Sequence, residues 1–253
     1  MSMVLKNIKT AALLIGICIL NISCSKEFHL AEIKDRNYRI EKASYPVDVH
    51  IASIIEPYKV QLDKTMNEVI GYSDEELVKG KPASTLTNWF CDVLLDESQK
   101  LVTQKIDFAL QNYGGIRVPF LSKGNITVGT IYELMPFDNV MFIMELKGDV
   151  IQQFFDKMAA SGGWPVSRGV YFEIAYGAAK NIKIGESPLD PERVYIAAVP
   201  DYIANGGDNM VMLLEAKSYN TGVLIRDLLI NNIKENTSKG LTIKPNNEKR
   251  ITE

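Results

Sequence analysis

The sequence predicts an α+β fold, a single domain in which one mixed sheet is flanked by helices. Short runs rich in β-branched and aromatic residues are grouped between residues 106 and 199, and apolar residues at helical spacing occur before, between and after them. Strands grouped in this way favour α+β organisation over a repeating βαβ order. Hydrophobic residues make up 46% of the 253 residues and charged residues 23%, which is ordinary for a globular protein with a sizeable core.

Residues 1–23 have the pattern of an export signal. A basic start is followed by an apolar run from Ala11 to Leu20, and Ser23 stands directly before Cys24. The run is shorter than the roughly 20 apolar residues that a membrane-spanning helix needs. We therefore expect cleavage before Cys24 and lipidation of that cysteine, so that the protein is exported and lipid-anchored in a bacterial cell envelope. A plain secretory leader or an uncleaved anchor stays open, because Asn21 stands where such signals usually have leucine.

Loss of this leader would leave 26 basic and 31 acidic residues, because it contains two lysines and no acids. This mildly acidic balance, without a basic stripe, argues against a nucleic-acid polymer as partner. Besides Cys24, the remaining cysteine would be Cys91, whose apolar neighbours indicate a buried and unreactive thiol.

Residues 24–49 are mixed and polar, and we predict a tether with at most one edge strand, followed by a domain at residues 50–253. Apolar residues at helical spacing predict an amphipathic helix over Ile51–Met66, and Glu68–Tyr72 is strand-like.

The rest of the domain shows the same two periodicities. Five β-rich runs are predicted to be strands of one sheet: Ile106–Leu110, Ile126–Tyr132, Val140–Leu146, Val170–Tyr176 and Val194–Val199. Helical spacing predicts three further helices: one capped by Thr85 or Thr87 and ending near Lys100, then Asp149–Ala160, and a last one over about Thr221–Lys234.

The first candidate binding loop runs from Asn112 to Arg117, directly after a predicted strand. Its adjacent glycines, Gly114 and Gly115, let backbone N–H groups approach a ligand closely. Arg117 offers a planar fork of five donors, and Asn112 offers a donor and an acceptor. The pattern alone is equally compatible with a glycine turn that carries a solvated arginine.

Two further loops combine aromatic and polar side chains. In Asp201–Asp208, Tyr202 could stack on a base and Asp208 could accept hydrogen bonds from ribose hydroxyls. An Asx-type turn with a core tyrosine is the structural alternative. In Met135–Asn139, Phe137 follows a proline at a rigid corner, which by itself would indicate packing.

Taken together, these segments resemble the 5'-nucleotidase family and its bacterial UDP-sugar hydrolase relatives. The resemblance runs from about His50 to Ile251 and implies the family's C-terminal, substrate-binding domain. It rests on Glu68–Gly71, Asn88 with Cys91–Asp92, Asn112–Arg117, Gly124–Thr127, Glu133–Phe137, Leu146–Gly148, Asn205–Asp208 and Arg250–Ile251.

The resemblance also assigns expected roles to residues. It implies that Asn112 and Arg117 hold ribose or phosphate oxygens, that Phe137 and Tyr202 face each other across one planar base, and that Asp208 accepts from the ribose. Further substrate contacts are expected from Gly114, Gly115, Gly169, Asn205 and Gly207.

Two positions depart from the family's pattern. Pro82 stands where the family has a substrate-binding arginine, so phosphate contacts would be weaker or completed by Lys79, Lys81 or a partner. Arg168 replaces the first glycine of a pair and would either add a cation or spoil the pocket floor.

In this family, hydrolysis uses two metal ions that Asp, His and Asn side chains hold in a separate N-terminal domain. Beyond the leader the chain has two histidines, His29 and His50, so we expect no metal site and no cofactor here, and divalent metals only on a catalytic partner. Three hypotheses follow: a nucleotide-binding module that presents substrate to a separately encoded metallophosphoesterase, a stand-alone nucleotide or nucleoside receptor, and a degenerate structural protein. The kept binding residues favour the first two, and the two-domain site of the family favours the first.

Overall fold

Helix α1, Val49–Met66, is the first element of the computed structural model, which describes residues 47–253. The predicted export signal at 1–23, Cys24 and most of the tether predicted at 24–49 lie outside the described residues. Residues 53–253 form one compact unit. Among the described residues, no helix has the combination of length and apolarity that crossing a bilayer requires.

The predicted helix at α1 is confirmed, but its apolar face is not part of the core. None of its residues is buried, and Ile54, Ile55, Tyr58 and Leu62 are between 52% and 75% exposed. The amphipathic pattern therefore predicted the helix correctly, but it did not predict that the apolar face of the helix would be exposed.

The remaining elements follow in chain order. They are β1 Val69–Ser73, β2 Leu77–Val78, α2 Thr85–Leu101, β3 Phe108–Ala109, β4 Phe120–Leu121, β5 Gly124–Thr127, α3 Val128–Leu134, β6 Val140–Lys147, α4 Gly148–Ala160, β7 Val170–Ala175, β8 Ala178–Ile184, β9 Ser187–Pro188, β10 Val194–Pro200, α5 Asp201–Ala204, β11 Lys217–Leu224, α6 Ile225–Ser238 and β12 Ile251–Thr252.

The α+β class is confirmed, whereas the prediction of one sheet is wrong. One four-stranded sheet has the order β11-β6-β10-β3, a second has the order β12-β7-β8-β9, and β1-β5 and β2-β4 form two-stranded pairs. The second sheet arises because β7 folds back on β8 through a tight turn at Tyr176 and Gly177, both with positive φ. That hairpin takes β7 out of the sheet that contains β3, β6 and β10.

Two predicted element boundaries are corrected by hydrogen-bonded caps. The predicted strand Ile126–Tyr132 ends at Thr127, because Thr127 and Thr130 cap each other reciprocally and start helix α3. Helix α2 is capped by Ser84 rather than by Thr85 or Thr87, and Thr87 is the partner that completes the capping box.

The last helix starts later than predicted. It begins at Ile225, because the preceding segment Lys217–Leu224 pairs with β6 as an edge strand. Most of that strand is exposed and polar, so its sequence lacks the alternation that marks a half-buried strand.

Two hydrophobic clusters hold the unit together. The first joins α2, α3 and α6, with Leu86, Phe90, Ile131 and Leu229 fully buried. The second contains the buried face of α4 together with residues of both four-stranded sheets, and its rings meet edge to face, as in Phe108 and Phe155, whose centroids are 5.8 Å apart. Cys91 is buried in the first cluster as predicted, and burial raises the pKa of its thiol, so the thiolate is disfavoured.

Candidate functional site

The sheet β11-β6-β10-β3 brings the three candidate loops together at one end of its strands. Strands β3 and β10 are parallel, with Ala198 opposite Ala109, so the loops that follow them emerge at the same end. Strand β6 is antiparallel to β10, with Met141 opposite Pro200, so the loop that enters β6 lies at that end too. Loops far apart in the sequence therefore meet, as expected for a ligand site at the carboxyl ends of strands.

A cavity of about 530 Å³ opens between these loops. It is lined by Asn112, Gly114, Gly115, Arg117, Phe137, Asp138, Asn139, Tyr202 and Asp208. Seven of these nine are predicted substrate-binding residues. Phe137 and Tyr202 are 42% and 46% exposed, so both rings are available to a ligand rather than sealed in the core.

Asp208 is the centre of the polar side of the cavity. Its carboxylate accepts hydrogen bonds from Asn112 Nδ2 at 3.1 Å and from the Tyr202 hydroxyl at 2.9 Å. Its backbone is left-handed, with φ 51°, a conformation that aspartate adopts more readily than most other non-glycine residues. The two hydrogen bonds fix the orientation of the carboxylate.

The Tyr202 ring packs directly on Gly207. A Cβ at Gly207 would stand 2.4 Å from the Tyr202 carbonyl and 2.6 Å from its ring, so no other residue fits there without moving the tyrosine. Gly207, predicted to bind substrate, does not line the cavity itself and instead supports a side chain that does.

Arg117 lies over the other aromatic residue. Its guanidinium carbon is 5.4 Å from the Phe137 ring centroid, and Nη1 donates to the Gly114 carbonyl at 3.2 Å. The backbone N–H of Arg117 donates to the Leu134 carbonyl at 3.0 Å, which ties this loop to the end of α3.

Lys79 and Lys81 lie beside the same loop. Their ammonium nitrogens are 4.0 and 4.8 Å from the Tyr113 ring centroid, and Lys79 donates to the Ile116 carbonyl at 2.6 Å. The pKa of Lys79 is lowered by burial and by the positive charges of Arg117 and Lys81. Within residues 47–253, the ion pairs involve none of these three cations. They form an uncompensated positive cluster next to the cavity.

Four other residues that the sequence indicated do not line the cavity. Gly169 has φ 82°, and its carbonyl accepts from the Gly185 N–H at 2.8 Å. Its neighbour Arg168 is paired with Asp96. Asn205 is exposed at the end of α5, and Pro82 lines a different depression.

Two lining residues, Asp138 and Asn139, were not singled out from the sequence. Asn139 Nδ2 donates to Asp201 Oδ1 at 2.6 Å and so joins the loop of Phe137 to the loop of Tyr202. Their position directly after Phe137 in the same corner was the available signal, since consecutive residues of a ligand-binding corner tend to share one surface.

Metal ligands are not clustered in the part of the chain that the structure describes. Nowhere in residues 47–253 do three or more His, Cys, Asp or Glu side chains come together in a way that could hold a metal ion.

Comparison with protein families gives one match. The model for the 5'-nucleotidase C-terminal domain matches residues 69–215, which include all three cavity loops.

Curated relatives match at moderate identity. Protein UshA of Salmonella pullorum is 26% identical over 184 residues, covering 71% of this chain and 32% of the relative. The 5'-nucleotidase of Mus musculus is 24% identical over 241 residues, covering 83% of this chain and 41% of the relative. The chain thus spans well under half the length of these relatives.

Solved structures agree on the fold. The 5'-nucleotidase precursor of Thermus thermophilus superimposes with a TM-score of 0.68 and 28% identity, covering 83% of this chain and 44% of that chain. The NAD nucleotidase of Haemophilus influenzae gives a TM-score of 0.62 at 18% identity over 81% of this chain and 42% of that chain, a likeness of fold alone.

Proposed function

The chain belongs to the family of 5'-nucleotidase C-terminal domains, and from that premise we propose that it binds a nucleotide or nucleoside and presents it to a separately encoded metallophosphoesterase. The observation that carries the proposal is the cavity in which Phe137, Tyr202, Asp208 and Arg117 converge. Its volume of about 530 Å³ falls within the range of small-molecule sites.

A planar base is the part of the ligand that fits the aromatic residues. Both rings are about half exposed at one cavity, and a base can stack on any aromatic face. Stacking contributes roughly 1–3 kcal/mol per base–aromatic contact. Two rings therefore supply the larger share of the affinity.

The sugar and phosphate fit the polar side. Asp208 can accept hydrogen bonds from ribose hydroxyls, and Asn112 already holds that carboxylate in place. Arg117, Lys79 and Lys81 supply positive charge without a carboxylate partner among the described residues, which suits an anionic group next to the base and sugar.

The role of a catalytic partner is inferred from the family resemblance. The family match is to the substrate-binding domain, and the described residues contain no cluster of metal ligands. Presentation to a partner that carries the metals would join the two halves of such a site.

A stand-alone receptor is the alternative function. It is favoured by the convergence of Asn112, Arg117, Phe137, Tyr202 and Asp208 at one cavity, which offers contacts for base, sugar and an anionic group together. Tight binding by the chain alone, unchanged by any co-purifying protein, would favour the receptor, whereas weak binding that tightens with a phosphatase partner favours presentation.

The test has two parts. Calorimetric titration of the full chain with nucleosides and their 5'-monophosphates should detect binding that Phe137→Ala and Tyr202→Ala each weaken. Isolation of the native protein, followed by a phosphatase assay of whatever accompanies it, should find metal-dependent activity in the companion. Nucleotide hydrolysis by the repurified chain alone, or no binding of any nucleoside or nucleotide, would overturn the proposal.

Export and lipid anchoring are part of the same proposal. They rest on the basic start, the apolar run and Ser23–Cys24 in the sequence. Mass spectrometry of the N-terminal peptide from the native protein should show lipid on Cys24, and an unmodified Cys24 or a retained leader would refute the anchor.

A further inference from the structure

Arg226, the second residue of α6, lies behind the loop that carries Phe137. It is 6% exposed and does not line the cavity. Its Nη1 donates to the carbonyls of Met135 and Phe137, each at 3.4 Å, and its Nη2 donates to Asp138 Oδ1 at 2.7 Å. Its guanidinium carbon is 4.1 Å from the Tyr132 ring centroid.

This arrangement is costly for a residue that only fills space. Burying a guanidinium loses hydration, and Arg226 Nε has no partner among the described residues. The Asp138 side chain that pairs with it is 79% exposed, so the ion pair does not bury two opposite charges together. What the site uses is the planar fork, which reaches two carbonyls and a carboxylate from one rigid group.

The loop has fixed ends and a middle that depends on Arg226. At one end the Met135 N–H donates to Ile131 O, and at the other the Ile225 N–H donates to Asn139 O, each at 2.9 Å. Between them Pro136 has no N–H to donate. Arg226 holds the middle of the loop at two adjacent residues, through the Phe137 carbonyl at 3.4 Å and the Asp138 carboxylate at 2.7 Å, while Arg117 lies over the exposed Phe137 ring.

We propose that Arg226 is a positioning residue that holds the Phe137 ring in its base-stacking place. The proposal rests on the proposed function, because it takes Phe137 to be a ligand contact. A half-exposed ring on an unsupported loop would lose conformational freedom on binding, and a ring held in advance does not carry that cost. Affinity for the base therefore depends on a residue that never touches it.

The test compares Arg226→Gln and Arg226→Lys with the control Arg193→Gln. Arg193 also combines an ion pair, to Asp107 at 2.8 Å, with an aromatic contact, 4.4 Å from the Tyr195 ring centroid, but it lies outside the cavity. Arg226→Gln should weaken nucleoside binding about tenfold, through lost preorganisation, whereas Arg193→Gln should leave it unchanged. Arg226→Lys, which keeps the charge but not the fork, should recover only part of the affinity.

A second readout needs no ligand. In protein labelled with fluorophenylalanine, the Phe137 resonance can be assigned by its loss in Phe137→Leu. We expect Arg226→Gln and Arg226→Lys to shift and broaden this resonance while Arg193→Gln leaves it alone. An unchanged resonance, or an affinity loss equal to that of the Arg193 control, would overturn the positioning role. If the unmodified protein binds no nucleoside or nucleotide, the proposed function fails, and the fluorine spectra still decide whether Arg226 holds the ring.

Discussion

Two groups of cations in this molecule are treated in opposite ways. Beside the cavity, Lys79, Lys81 and Arg117 have no carboxylate partner among the described residues. Next to the C-terminal strand, Arg250 binds Asp92 at 2.7 Å and Glu248 at 2.8 Å. The three cations beside the cavity raise the local positive potential, whereas the charge of Arg250 is neutralised by the two carboxylates that it contacts.

The difference separates cations that stabilise the fold from cations that are free for a ligand. Arg250 is 1% exposed, and its Nη1 also donates to the Asn88 carbonyl at 3.2 Å and the Val166 carbonyl at 2.8 Å. It thus joins α2 and the segment before β7 to the end of the chain. Every one of its bonds is used inside the protein, and residue type alone could not have shown this.

The largest expected effect comes from breaking the neutralised group. Arg250→Met removes the buried cation nearest to Asp92 and Glu248 and the donor to two buried carbonyls, which costs about 3–5 kcal/mol of stability. Denaturant titration measures the loss. Nucleoside affinity measured where the variant is still folded should be unchanged, and a selective loss of affinity would erase the division between the two groups.

Acid should act on the same group. The pKa of Glu248 is lowered by the hydrogen bond from Tyr171 and by Arg250. A carboxyl with a lower pKa in the folded state contributes stability that is present above its unfolded pKa and is lost as the pH falls through its folded pKa. A pH series of unfolding midpoints should therefore show a smaller acid decline in Glu248→Gln than in the unmodified protein.

The next effect concerns the aromatic residues of the cavity. Phe137→Ala and Tyr202→Ala should each weaken nucleoside binding about tenfold or more, because a stacked base loses roughly 1–3 kcal/mol and each 1.4 kcal/mol is a factor of ten. Stability should change little, since both rings are about half exposed. Tyr219, 58% exposed on β11, offers the matched control, and a similar affinity loss in Tyr219→Ala would show that the effect is not local.

A smaller and more selective effect is expected at the unpaired cations. Arg117→Ala, Lys79→Gln and Lys81→Gln should reduce affinity for nucleoside monophosphates by at most about 1 kcal/mol each, as for exposed charge pairs, and leave nucleoside affinity nearly unchanged. Salt should weaken the same contribution. Equal losses for both ligand classes in calorimetry would mean that these cations support the loop rather than bind phosphate.

The positive cluster also predicts that phosphate recognition depends on pH in the alkaline range. An ordinary lysine has a pKa of 10.5, and the pKa of Lys79 is lowered from that value. Lys79 therefore loses its charge at a lower pH than an ordinary lysine does. The preference for monophosphate over nucleoside should decline as the pH rises through this lowered pKa. The contribution of Lys79 to stability changes in the opposite direction. Between its folded and unfolded pKa values the unfolded chain binds more protons than the folded protein, so the free energy of unfolding rises with pH. A preference that stays constant in Lys79→Gln but declines in the unmodified protein would isolate this lysine.

Sequence patterns predicted the α+β class, the long helices and most of the central strands, because each has an apolar periodicity of its own. The patterns failed where the secondary structure depends on which strands pair with each other. Residues 217–224 are an edge strand only because β6 lies beside them, and the β7–β8 turn divides what looked like one sheet. The end of strand β5 at Thr127 depends on a reciprocal cap with Thr130, a polar signal within an apolar run.

The three candidate loops that the sequence indicated meet in the structure for a related reason. Phe137, Tyr202 and Arg117 each follow or precede a strand of one sheet, and the strand order places those ends together. Asp138 and Asn139 lay in the candidate loop Met135–Asn139 but were given no role, because the resemblance assigned them none, and Arg226 was missed because it contacts that loop from behind.

The smallest effect is expected at Arg168, which the sequence had indicated as a possible cation near the ligand. Its replacement tests whether a cation that is already paired with carboxylates contributes to ligand binding. Arg168 bonds Asp96, and both side chains are 47% exposed, so Arg168→Gln should cost at most about 1 kcal/mol of stability. Its backbone N–H donates to Asp92 at 2.7 Å, and a glutamine keeps that bond. Because Asp92 and Asp96 already neutralise this region, we expect no change in affinity for nucleosides or monophosphates. A loss confined to monophosphates would instead place Arg168 among the cations that serve the ligand, and exposure and pairing would then no longer separate the two groups.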